Sequence, residues 1–104
     1  MASNAAFQIA SLQRAGHVIP RRANRLRAAV VVLKPGASMD WHSTGSREEL
    51  LIALAGRVQV EVRTVSRRRR AGLRVGQCVF LPQGTRHCVV NRSASKARYL
   101  YVTA

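Results

Sequence analysis

The sequence predicts an all-β protein, a sandwich or closed barrel, on three observations. Apolar runs of strand length, dominated by Val, Leu and Ala, recur about every 8 to 12 residues. Glycine and proline punctuate them, at Pro35-Gly36, Gly45, Gly56, Gly76 and Pro82-Gln83-Gly84. Finally, 104 residues that are 47% hydrophobic can bury one core, which suits a single compact domain better than a disordered tail.

Taken in chain order, the first 25 residues are the least regular. "AFQIASL" (6–12) has the composition of a strand, and "GHVIPRRANR" (16–25) reads as a loop broken at Pro20. An early strand with no partner in its own sheet is free to join another subunit's edge. From Leu26, "LRAAVVVLK" is apolar and β-branched, a buried strand stopped by Pro35 and Gly36. "ASMDWHST" (37–44) alternates, "GSR" turns, and "EELLIALAG" (48–56) follows. Glu, Leu and Ala favour helix, yet this segment is short and runs directly into "RVQVEVRTV" (57–65), where valines nearly alternate with polar residues. Two strands joined by a tight turn at Gly56-Arg57 are therefore expected. "SRRRRAG" (66–72) reads as a charged loop and "LRVGQ" (73–77) as a bend around Gly76. The strands "CVFL", "RHCVVN" (86–91) and "KARYLYVTA" (96–104) complete the set, separated by "PQGT" and "RSAS" turns. The expected organisation is an amino-terminal segment over residues 1–25, with one edge or exchanged strand, and a β-barrel over residues 26–104.

Eighteen Lys and Arg against four Asp and Glu give a net charge of +14. Such a field draws in polyanions and acidic small molecules. Along the sequence, however, the arginines are scattered apart from the run Arg67 to Arg70, and no aromatic residues interleave with them for base stacking. A solvated basic surface is the plainer reading, and nucleic acid is not an expected partner. No apolar run nears the about 20 residues that span a bilayer, and "MASNAAFQIASLQRAG" lacks the basic start and long apolar centre of an export signal. A cytoplasmic protein without membrane contact is expected. Cys78 and Cys88 are accordingly expected as reduced thiols that fill small apolar spaces.

Two of the three histidines lie beside turns. His42 sits in "DWHST", Glu49 follows in "REELL" after a turn that lets both side chains reach one face, and His87 comes directly after "PQGT". Residues two apart on a strand share a face, so Thr44 accompanies His42, and Ala53 accompanies Glu49. Two imidazoles and a carboxylate converging inside a barrel suit one divalent transition metal, Zn, Fe, Mn, Ni or Cu, and leave positions open for water or substrate. On composition alone, a histidine is more often a core or surface residue, and Glu49 reads equally as an exposed strand carboxylate beside Glu48.

A family resemblance bears on that choice. "GASMDWHSTGSREELLIALAG", from Gly36 to Gly56, and the positions Gly76, Pro82, Gly84, His87 and Asn91 resemble the two motifs of the cupin family, G-x5-H-x-H-x3-4-E-x6-G and G-x5-P-x-G-x2-H-x3-N. With the 19 residues between them the motifs cover about half the chain. One position departs, since Thr44 stands where the second histidine of the first motif usually is.

The resemblance implies a double-stranded β-helix, or jelly-roll barrel, in which His42, Glu49 and His87 ligate one divalent metal. It also implies that the glycines and Pro82 shape the turns that aim these ligands, and that Asn91 ties down its strand end through side-chain hydrogen bonds. A threonine hydroxyl is a poor ligand beside an imidazole. Either water takes that position, giving a two-His, one-carboxylate triad of the sort non-haem iron oxygenases use, or the metal is held weakly. The family spans dioxygenases, isomerases, epimerases, decarboxylases, binding proteins and sensors. The implied function is a small metal-binding protein, dioxygenase- or isomerase-like, acting on a small anionic or oxygenated molecule; the alternative is a non-catalytic ligand-binding or sensor domain. No separate general base stands out.

Further site residues follow from position. Thr44 lies beside the ligands, and Arg47 and Gln83 lie in turns at the barrel mouth, where they can meet an anionic substrate. Trp41 alternates with His42 and is expected to face outward. Tyr99 and Tyr101 share one face, Leu100 and Val102 the other, and the pattern leaves open which is internal. With Glu49 inward, Leu50, Ile52 and Leu54 form an outward apolar stripe, which predicts a homodimer packed across that sheet.

Overall fold

The apolar runs between the Gly and Pro signals become nine strands in the computed structural model, which describes residues 7–104. These are β1 (Gly16–His17), β2 (Arg27–Leu33), β3 (Ser38–Ser43), β4 (Glu49–Ala55), β5 (Arg57–Arg63), β6 (Arg68–Arg74), β7 (Cys78–Leu81), β8 (Arg86–Val90) and β9 (Ala97–Thr103). They form two antiparallel sheets, ordered β1-β2-β9-β4-β7 and β3-β8-β5-β6. Between them lies one core, to which the first sheet contributes Leu33, Leu51, Ala53, Leu81, Ala97 and Tyr99 and the second Val58, Val60, Leu73 and Val89. Among the described residues, no helix is long and apolar enough to cross a membrane.

Alternation sets which residues reach that core. On β4, Glu49, Leu51 and Ala53 are buried, while Leu50, Ile52 and Leu54 between them are only half-buried. "ELLIALA" is thus strand despite its helical composition, because period-two burial between two sheets outweighs intrinsic propensity. On β9 the same rule turns Tyr99 inward, 2% exposed, and brings Tyr101 against the core.

Four expectations need correction. The turn at Gly56 does not join a hairpin: β4 pairs with β7 and β9, whereas β5 pairs with β6 and β8, so Gly56 is a corner between sheets. Its φ of 67° and a space where an added Cβ would stand 2.6 Å from the Lys96 carbonyl oxygen both require glycine there. Next, "SRRRRAG" is not a loop, since Arg68 begins β6, paired with β5 from Arg63↔Arg68 to Arg57↔Arg74. An edge strand needs only backbone pairing, and its long basic side chains extend into solvent at no cost to the core.

At the amino terminus, residues 7–12 of "AFQIASL" form no strand, and Ala6 lies outside the described residues. Phe7 and Ile9 are 74% and 86% exposed among the described residues; the edge strand is β1, inside the segment read as a loop, and it pairs with Ala29 and Val30 of the same chain. Finally, Cys78 and Cys88 are both free thiols on strands of different sheets, but only Cys88 is buried and Cys78 is exposed.

Candidate metal centre

Two turns and the carboxy terminus meet at one end of the sandwich. Gly84 N–H donates to the Gly45 carbonyl (2.9 Å), Thr44 N–H to Thr85 (3.1 Å), and Ala104 and Glu48 exchange main-chain bonds of 3.0 and 3.2 Å. Thr44 reinforces this joint. Its hydroxyl donates to the Pro82 carbonyl (2.8 Å) and accepts from the Thr85 N–H (2.9 Å). Beyond the joint, the Asn91 side chain donates to Leu33 and Ser95 carbonyls and accepts from Ser93, which anchors the far end of β8 as the motif implied.

This frame places the three candidate side chains. His42 on β3 and His87 on β8 are direct register partners, with ring centroids 4.2 Å apart. Glu49 reaches them from the other sheet, so the carboxylate meets the imidazoles across the sandwich and not along one strand pair. The donor atoms of His42, Glu49 and His87 all lie within 4.8 Å of one another.

Both imidazoles are oriented by main chain. His42 Nδ1 lies 2.7 Å from the Asp40 carbonyl oxygen and His87 Nδ1 3.0 Å from that of Thr85. A carbonyl only accepts, so each Nδ1 carries a proton, and in the neutral form of either ring Nε2 is the nitrogen left to ligate. His87 is fully buried, and its Nε2 has no hydrogen-bond partner. The Glu49 carboxylate is the group it faces, at 3.4 Å, longer than an ordinary hydrogen bond. Leaving such an atom unpaired costs about 1–3 kcal/mol. Two ligands about 2.1 Å from a shared ion in tetrahedral array stand about 3.4 Å apart, so this donor set fits a divalent transition metal. Burial pushes the His87 proton off, but Glu49 and the Thr85 carbonyl hold it on more strongly, and the net direction is upward from 6.5.

A cavity of about 300 Å³ opens beside these groups, lined further by Met39, Thr44, Arg47, Tyr99, Tyr101 and Thr103. Burial holds the Tyr99 hydroxyl far above the ordinary phenol range, so it stays protonated. Arg47 is positioned by donation to the Arg25 carbonyl (2.9 Å) and the Thr103 hydroxyl (3.2 Å). Gln83 is not among the cavity residues: its amide donates to the Ser46 carbonyl, and it borders a separate groove. Trp41 faces away, beneath the guanidinium groups of Arg63 and Arg68 at 5.0 and 5.7 Å. Tyr99, Tyr101, Thr103 and Met39 were not singled out as site residues by sequence. The period-two pairing of the tyrosines was visible, but Leu100 and Val102 are equally apolar and offered nothing to decide the inward face.

A family model described as a cupin domain matches residues 29–103. Among solved structures, a cupin 2 conserved barrel domain protein from Salinispora arenicola CNS-205 is 25% identical, with a TM-score of 0.76 over 95% of this chain and 89% of that one. The TT1209 protein from Thermus thermophilus is 30% identical, with a TM-score of 0.73 over 90% and 86%. Oxalate oxidase shares the fold alone, at 18% identity and a TM-score of 0.70, and this chain covers 41% of its length for 75% of its own. No curated protein matches the chain.

Proposed function

The chain belongs to the cupin family, and we propose that it is a small metal-dependent enzyme, dioxygenase- or isomerase-like, in which His42, Glu49 and His87 hold one divalent transition metal. The observation that carries this reading is the buried Nε2 of His87, oriented by a carbonyl at its other nitrogen and facing a carboxylate at 3.4 Å without a hydrogen bond. When bound, the metal supplies Lewis-acid or oxygen-binding chemistry at the positions that three protein ligands leave open. Thr44 does not add a fourth, because its hydroxyl is occupied on both sides by main chain.

The substrate class is a small anionic or oxygenated molecule. The cavity of about 300 Å³ limits its size, and its walls combine one guanidinium with the hydroxyls of Tyr99, Tyr101 and Thr103. Arg47 provides charge-assisted binding of an oxyanion, and the protonated Tyr99 provides a donor. Oxalate oxidase acts on a molecule of this class, an analogy that rests on shared fold. A ligand-binding or sensor domain is the second reading, favoured by the absence of a side chain placed as a separate general base among the cavity residues.

We further assign the protein to the cytoplasm, consistent with its two free thiols, and to a homodimer. The outward residues Leu50, Ile52, Leu54, Leu100 and Val102 are only half-buried, and Phe80 beside them is 56% exposed.

Turnover or binding of small oxygenated acids, followed through chelation and restoration with single metals, tests the reading. Activity lost with the chelator and regained with one ion is expected for the enzyme. Binding without turnover supports the sensor, and turnover that persists in a metal-free His87→Ala protein contradicts both.

A further inference from the structure

Strand register gathers arginines that the linear sequence scatters. On the outer side of the four-stranded sheet, Arg68 of β6 faces Arg63 of β5, which in turn faces Arg86 of β8. Neighbouring strands lie about 4.8 Å apart, so three guanidinium-bearing positions form one row spanning about 10 Å. Arg57 faces Arg74 at the other end of the same strand pair, and Arg70 occupies an outer position between the two rows. Glu61, the carboxylate on β5, is already bonded to Arg92 at 2.9 Å. Glu61 also faces Arg70 across the strand pair and is the one carboxylate of β5 set against these rows. Like charges placed directly opposite destabilise a sheet, and the outer arginines on β5, β6 and β8 outnumber it.

We propose that this face docks the phosphate backbone of nucleic acid, independently of base sequence. Two further observations support a polyphosphate over other anionic surfaces. Arg57 and Arg74, with Gln59, Arg92 and Ser93, border an indentation of about 370 Å³ on this face, room for a phosphate group beside two forked donors, while Arg92 is held by Glu61 and Gln59. Among the described residues, none of the exposed large hydrophobics occupies an outer position of this sheet, and Trp41 is covered by Arg63 and Arg68. A membrane surface would call for apolar side chains that insert, whereas a phosphate backbone calls only for charge and planar donors. The opposite outer face, on the five-stranded sheet, carries the apolar stripe, so a dimer formed there leaves both cationic faces free.

Anisotropy of a labelled short duplex DNA at increasing salt tests the assignment with the full chain. The expected slope of log affinity against log salt is about −5, as for five to six phosphates contacted. Replacing Arg63, Arg68 and Arg86 together by Gln should flatten that slope by about 2 to 3 and weaken binding at least about tenfold at low salt. A charge-matched control replaces the exposed Arg14, Arg21 and Arg25 by Gln and should leave the slope nearly unchanged. Since Arg63 and Arg68 pack on Trp41, wild-type protein is also modified with phenylglyoxal with and without DNA, and protection should concentrate on Arg63, Arg68, Arg70 and Arg86. Equal losses from both triple variants, uniform protection, or preference for anionic phospholipid vesicles over DNA would overturn the proposal. His87→Ala should bind DNA like wild type, so failure of the metal centre and failure of this face are separable.

Discussion

Thr44 illustrates how one side chain can depart from a motif and remain necessary. It stands at the position of a motif histidine, yet its hydroxyl spans the Pro82 carbonyl and the Thr85 N–H at the joint that orients His87. Thr44→Val keeps the shape and removes both bonds, and should cost about 2–3 kcal/mol in urea unfolding with metal stoichiometry unchanged. His87 sets a pH dependence of definite sign. Its folded-state pKa lies above 6.5, so protonation contributes stability to the metal-free protein fully below 6.5, and this contribution is lost as pH rises through the folded value. Metal needs Nε2 bare, so affinity should fall as pH drops through that same value, below which binding displaces a proton from His87 and above which it does not. Parallel denaturation and metal titrations from pH 5 to 9 check both directions. That His42, Glu49 and His87 come together was legible through the resemblance to the family motifs, whose spacing marks these positions, whereas the carbonyls that orient the imidazole rings belong to main chain and leave no mark in residue type.

Among the strands, those with a buried face were the easiest to read, and β6 was the hardest. β2, β4, β5 and β8 write their burial as alternation or β-branched runs, but β6 sits at an edge and opens on three consecutive basic residues, Arg68 to Arg70, and its pairing with β5 is visible only in three dimensions. The corner at Gly56 was found as a turn, but its partners were not, because a local signal does not state which sheet the next strand joins. Gly56→Ala should destabilise by about 2 kcal/mol or more, combining the left-handed φ with the contact to Lys96. Gly36, also at positive φ but with open space around it, should lose less on the same change, and thermal unfolding of the two variants provides the comparison.

The whole molecule is a sandwich with two unlike outer faces, one apolar and one cationic, around a core that opens at one end. Composition announced both excess arginine and surplus apolar surface without locating either, since faces are products of register. If the apolar face is the subunit contact, sedimentation should give a dimer for the wild type and Leu50→Glu should give a monomer that keeps its strand content. The same end of the sandwich joins two sheets at His42, Glu49 and His87, and the central claim is that these three hold one metal ion. Elemental analysis of purified protein, alongside His87→Ala and Glu49→Gln, addresses it most directly. About one transition-metal ion per chain in the wild type, falling to a small fraction in both variants, is the predicted result, and equal metal content in all three proteins would contradict it.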